Sequence, residues 1–125
     1  MENDAAETRR FLVKFLEEFK GLIYEGRLLI TQRRKTQDAL SQLGYTFNHL
    51  EPILLSLSVE DYYAGPKPDV YVQGDSYWEF GKFINARAYY IKVKIAQQRD
   101  GERAVCLSFH EAEVPLRFPF RTGRN

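Results

Sequence analysis

Residues 76–110, SYWEFGKFINARAYYIKVKIAQQRDGERAVCLSFH, alternate apolar and polar side chains and break at two places, Asn85-Ala86 and Arg99-Asp100-Gly101. Alternation of period two puts one set of side chains on each face of a strand. The stretch therefore predicts a three-stranded antiparallel meander that is apolar on one face. A two-residue turn at Asn85-Ala86 pairs Ile84 with Arg87, Gly81 with Tyr90 and Glu79 with Lys92. The same register sets Trp78 opposite Val93 and Phe80 opposite Ile91, an all-apolar match.

The second turn admits two registers. A two-residue Asp100-Gly101 turn sets Lys92 beside Phe109 and Val93 beside Ser108, mixing polar and apolar groups on both faces. A three-residue Arg99-Asp100-Gly101 loop with Gly101 left-handed pairs Ile91 with Phe109, Val93 with Leu107 and Ile95 with Val105. A slip of one residue turns every side chain over, so the apolar match selects the longer loop. The expected core face is Trp78, Phe80, Ile91, Val93, Ile95, Val105, Leu107 and Phe109. The opposite face then carries Glu79, Tyr90, Lys92, Lys94 and His110, with Ala104, Cys106 and Ser108 as a trough of small residues beside them.

The N-terminal half supplies a cover for the core face. Residues 5–25 place Phe11, Leu12, Phe15, Leu16, Phe19, Leu22 and Ile23 at helical spacings, and Gly26 ends the run. Residues 27–32 read as a strand, and 36–43 and 46–57 as two short helices separated by Gly44. Ser58-Val59-Glu60-Asp61 resembles a capping sequence that opens one helical turn, and residues 65–69, GPKPD, read as a rigid loop. The expectation is a single α+β domain over residues 1–125, helical over about 5–57 with the meander over about 76–112, helices packing on one face of an antiparallel sheet.

The lone Cys106 excludes an internal disulfide and fits a reducing cytoplasm. The opening MENDAAET lacks an apolar signal region, and no apolar run approaches the roughly 20 residues that span a bilayer, so no membrane association is expected. Residues 1–62 carry 8 basic and 10 acidic side chains, whereas residues 63–125 carry 10 and 7. That asymmetry, with Arg117, Arg121 and Arg124 near the end, points to an anionic partner for the C-terminal half.

The polar face gathers a carboxylate, a phenol, amines and an imidazole. Cutting RNA without a metal takes a base for the 2′-hydroxyl, a cation against the phosphorane and an acid for the 5′-oxygen. An imidazole ordinarily titrates near 6.5, which suits His110 to acid or base work, and amines stay cationic near neutrality, which suits Lys92 to charge stabilisation. Glu79 opposes Lys92 or serves as the base, and Tyr90 offers a phosphate hydrogen bond or a stacking surface. The plainer alternative is the wet side of an antiparallel sheet, with Glu79 and Lys92 a cross-strand ion pair contributing at most ~1 kcal/mol. Arg33-Arg34-Lys35 reads as a solvated face or an RNA contact. The tail PLRFPFR offers Arg117 and Arg121 as a phosphate clamp, or it is a strap packing Phe118 and Phe120. Two distant histidines and one cysteine predict no metal site, and nothing calls for a cofactor.

Leu57-Ser58-Val59-Glu60-Asp61-Tyr62-Tyr63, then Trp78-Glu79, Tyr90-Ile91-Lys92-Val93 and Leu107-Ser108-Phe109-His110, in that order, resemble the MqsR-type mRNA interferase toxins of type II toxin–antitoxin systems. The resemblance runs from about residue 50 to residue 110. It implies a RelE-like fold and a metal-independent endoribonuclease acting on single-stranded mRNA, free or on the ribosome, with a cognate antitoxin protein as partner. It places Tyr90 and Lys92 on the family's active strand, Glu79 where a member has glutamine, and His110 where that member has lysine. The family's lysine after its aspartate–aromatic motif is Ala64 here, with Lys67 the nearest substitute. The expected catalytic residues are thus Glu79, Tyr90, Lys92 and His110, and the expected RNA contacts Lys67, Lys94, Arg117 and Arg121. A non-catalytic RNA- or protein-binding module on the same fold is the alternative favoured by the exchanges at Ala64, Glu79 and His110.

Overall fold

A computed structural model describes residues 2–121. Helix α1 (Glu2–Tyr24) buries Leu12, Phe15, Leu16, Phe19 and Ile23 along one stripe and stops before Gly26, whose φ is +77°. Strand β1 (Leu28–Ile30) and helix α2 (Arg34–Leu43) follow, then a 3-10 turn at Phe47–His49 that runs into α3 (Leu50–Leu55). A second 3-10 turn, Val59–Asp61, leads into β2 (Tyr62–Pro68), β3 (Ser76–Ile84), β4 (Arg87–Gln98) and β5 (Gly101–Glu111). The chain is therefore α+β, with one five-stranded sheet in the order β1-β5-β4-β3-β2.

The sheet is mixed rather than antiparallel throughout, because β1 runs parallel to β5. No tight turn links these two strands, so nothing local forces the antiparallel direction. Residues 65–69 were expected as a loop, yet Gly65 to Pro68 belong to β2. That strand is the sheet's far edge, where a proline's missing amide costs no ladder bond, and its pairing with β3 is irregular at two points.

The first hairpin follows the expected register: Trp78 faces Val93, Glu79 faces Lys92, Phe80 faces Ile91 and Gly81 faces Tyr90. Asn85 and Ala86 both have positive φ, 53° and 66°, as a twist-matched two-residue turn requires. The second hairpin departs from it. Its loop is Arg99-Asp100, with Gln98 paired to Gly101, and a bulge at Leu107 absorbs the one-residue difference. Beyond the bulge Tyr90 faces His110 and Ile91 faces Phe109, as expected, but before it Val93 faces Cys106 and Ile95 faces Ala104. Cys106 and Ala104 therefore join the core, and Leu107 and Val105 do not belong to that cluster. The expected trough of small residues is not formed. An extra residue in one strand rephases everything on its far side, which the alternation pattern does not reveal.

α1 and α3 pack on the core face, where Phe15 stacks between Phe19 and Trp78, each 5.4 Å away between ring centroids. α2 lies against β5, and Phe109 N–H donates to Thr36 Oγ1 at 3.2 Å. That bond gives an edge amide its partner beyond the short β1. The C-terminal segment turns back past the other face: a Cβ on Gly81 would sit 2.6 Å from Leu116 Cδ1 and 2.9 Å from the Phe118 ring. Phe120 then packs on Tyr62 at 4.9 Å, and Arg121 lies 3.6 Å from the buried Asp61. The tail is a strap.

Candidate functional site

The sheet face away from the helices carries two clefts. The first, of about 350 Å³, is lined by Tyr63, Lys67, Glu79, Tyr90 and His110, with Glu113, Val114 and Leu116 of the strap closing one side. β3 and β4 place Glu79 and Tyr90 there through the register of the first hairpin, and β5 places His110 beside Tyr90. The irregular β2 brings in Lys67.

Glu79 is buried and organises this cleft. Tyr90 donates its hydroxyl to Glu79 Oε2, and Lys67 Nζ lies 2.8 Å from Oε1. At that distance the ammonium compensates the carboxylate, although Oε1 accepts no well-aligned hydrogen bond. The bond to Glu79 pushes the Lys67 amine above its ordinary value, outweighing burial. Burial first, and then the hydrogen bond to Glu79, drives the Tyr90 phenol far above its ordinary range. Tyr90 is therefore a fixed donor and no base. His110 stacks at a tilt on Tyr90, with centroids 5.1 Å apart, and its Nδ1 is 2.8 Å from the Glu111 carbonyl oxygen. A carbonyl only accepts, so Nδ1 holds a proton and Nε2 is the atom that exchanges one.

Lys92 sits opposite Glu79 in register but does not pair with it, because Lys67 occupies the carboxylate. Its ammonium lies 4.1 Å over the Tyr77 ring and lines a second cleft with Arg33 and the loop at residues 68–72. The expected Glu79–Lys92 ion pair is replaced by Glu79–Lys67. Lys94 also lines this second cleft, but it is largely buried and its ammonium is taken, 2.6 Å from Asp69 and 2.9 Å from Asp75. Burial pulls its amine down, and the two aspartates more than reverse this. Arg117 is exposed on the strap, while Arg121 is held by Asp61 and by the Phe118 ring 4.1 Å away. Neither arginine lines either cleft.

One contributor, Tyr63, was not assigned from sequence, and Arg33 was offered there only as a solvated face or an RNA contact. Tyr63 forms part of the first cleft, and the aspartate–aromatic motif that contains it was the available signal. Arg33 reaches the open face, with Nη1 3.4 Å from Ser108 Oγ. Among the described residues no group of three or more His, Cys, Asp or Glu side chains is placed to hold a metal ion, and no helix is long and apolar enough to cross a membrane. No family model, curated protein or solved structure matches this chain.

Proposed function

We propose that the chain is a metal-independent endoribonuclease of the MqsR-type, RelE-like kind, cutting single-stranded mRNA in the cytoplasm and restrained by a cognate antitoxin protein. The observation that carries this reading is the convergence of Lys67, Glu79, Tyr90 and His110 on one cleft. The resemblance named three of these as catalytic and Lys67 as the nearest substitute for the lysine missing at Ala64, and Lys67 Nζ lies 2.8 Å from Glu79 Oε1.

In this mechanism His110 Nε2 takes the proton of the 2′-hydroxyl as O2′ attacks the adjacent phosphorus. The Lys67 ammonium faces the phosphorane, and Lys92 adds positive charge from the neighbouring cleft. The P–O5′ bond breaks and Lys67 protonates the departing oxygen. An alkoxide is far more basic than an amine, so even the strengthened Lys67 ammonium donates downhill. Glu79 and Tyr90 are positioning residues here: Glu79 holds Lys67 protonated, and Tyr90 fixes the carboxylate. The products are a 2′,3′-cyclic phosphate and a 5′-hydroxyl.

Single-stranded RNA incubated with the protein in excess chelator tests this, with the product ends identified. Cyclic phosphate ends, abolished by a 2′-deoxy substitution at the cut nucleotide, are expected. Intact RNA, both free and on translating ribosomes, overturns the reading and leaves a binding module. The engagement of Glu79 by both Lys67 and Tyr90 is the observation that favours that second reading, since it suits a purely structural network.

A further inference from the structure

Beside the proposed catalytic cleft lies the second one, a groove of about 600 Å³ lined by Arg33, Tyr77, Lys92, Leu107 and the loop at residues 68–72. The two cations meet only a hydroxyl and an aromatic ring, and the loop tip stands in solvent. Among the described residues neither Arg33 nor Lys92 forms an ion pair with a carboxylate, while the nearby acids are already taken: Glu79 by Lys67, Asp69 and Asp75 by Lys94. Counting Lys94 and its two aspartates, the groove carries one net positive charge, and the side chains free to bind are the two cations.

The loop tip is apolar and fully offered to solvent, with Val70 84% and Tyr71 90% exposed. Its base is nevertheless fixed. Asp69 N–H donates to the Asp75 carbonyl at 2.9 Å, Asp75 N–H to the Val72 carbonyl at 3.1 Å, and Tyr71 N–H to Asp69 Oδ1 at 2.8 Å. The Lys94 ammonium joins both aspartates from the sheet below. With the backbone of the arm already fixed, only the Tyr71 side chain has freedom to lose when a ligand enters the groove it lines with Arg33 and Lys92. Unpaired cations that meet phosphates, interleaved with rings that meet bases, are how proteins hold single-stranded nucleic acid.

We propose that this groove binds the nucleotide neighbouring the scissile phosphate of a single-stranded RNA, its phosphate on Arg33 and Lys92 and its base on Tyr71. The inference rests on the ribonuclease reading for which phosphate is cut, and on the groove alone for what is bound. Tyr77 and Glu79 lie two residues apart on β3, roughly 6.8 Å along the strand, which is the scale of one nucleotide step in an extended chain. Tyr71 is the stacking residue because Lys92 already covers the Tyr77 ring.

The test is fluorescence anisotropy with a short, labelled, single-stranded oligoribonucleotide that is 2′-O-methylated throughout. Such a probe keeps its bases and phosphates and cannot be cut by internal attack. Tyr71→Ala, at a site exposed enough to leave the fold intact, is expected to weaken binding about tenfold, the loss of one stacked base. Arg33→Gln is expected to reduce the slope of log affinity against log salt by about 0.7, one phosphate contact on a single strand. Arg34→Gln, whose guanidinium lies near Asp38 and outside the groove, is the control and should change neither. Wild-type affinity in both Tyr71→Ala and Arg33→Gln, or no binding by the wild type, overturns the proposal. Equal weakening by Tyr71→Ala on duplex RNA, whose bases are not free to stack, overturns the base contact. A protein that binds through Tyr71 and Arg33 yet cuts no RNA keeps the groove and sinks the ribonuclease reading. Cleavage with an unchanged KM in Tyr71→Ala does the reverse.

Discussion

Replacing Lys94 with methionine keeps the apolar stem of the side chain and removes the charge that holds two aspartates together. Lys94 is 5% exposed, with Asp69 at 2.6 Å and Asp75 at 2.9 Å. Breaking a buried ion pair from one side costs roughly 3–5 kcal/mol, because the abandoned charge stays poorly hydrated. The aspartate side chains retain 11% and 17% of their exposure, so water reaches them once the loop relaxes. That puts Lys94→Met at the lower end, about 3 kcal/mol. Urea denaturation reads this as a lower midpoint at constant slope. Adding Asp69→Asn and Asp75→Asn removes the stranded charges and should restore more than half of the loss.

The pH dependence has a definite sign. Lys94 is raised above its ordinary 10.5, so its contribution is complete below that value and disappears as pH climbs through the raised one. Asp69 is lowered, chiefly by its hydrogen bond to Lys94, so its contribution is complete above its ordinary 3.8 and is lost as pH falls through the lowered value. The stability gap between wild type and Lys94→Met should therefore be flat around neutrality and narrow at both extremes. A loss under about 0.5 kcal/mol would refute the reasoning, since that is the size of an exposed pair.

Ala86 holds φ at 66° in the first hairpin turn, a conformation glycine adopts freely, so Ala86→Gly should stabilise the protein by about 1 kcal/mol; a lower urea midpoint would contradict that turn geometry. Cys106 is buried in the core with its thiol pushed up to about 12 by burial, so a disulfide reagent should label it only at the rate of unfolding, whereas rapid labelling in the native state would return it to the open face. Lys67→Ala should lower the cleavage rate at least 100-fold, and adding Ala64→Lys, at the position paired with Glu79, should recover much of it; no recovery would separate Lys67 from the role the resemblance gives that lysine.

The first hairpin was legible because its turn and its apolar match agree, and Glu79 and Tyr90 follow from that register, while His110 follows from the part of the second hairpin beyond the bulge. The bulge at Leu107 was not legible. The longer loop's register holds beyond the bulge, but on the turn side the structure takes a third register, one residue away and matching neither loop considered, which moves Cys106 and Ala104 inward. β2 was hidden by Gly65, Pro66 and Pro68, which read as loop wherever an edge strand is not anticipated. Lys94 looked like a free cation because its partners lie 25 and 19 residues away, across a loop whose closure no local pattern announces. Lys67 was reached only through the resemblance, and the irregular pairing of β2 brings its ammonium to Glu79 although Ala64, three positions earlier, is the residue paired with it.

Single-turnover cleavage of RNA in excess chelator, compared among wild type, His110→Ala and Lys67→Ala of matched thermal stability, tests the account at its centre. Metal-free cleavage by the wild type and a loss of at least 100-fold in each variant, the range of one proton-transfer group, are expected. Wild-type rates in both variants, or cleavage that appears only when metal is restored, would contradict it.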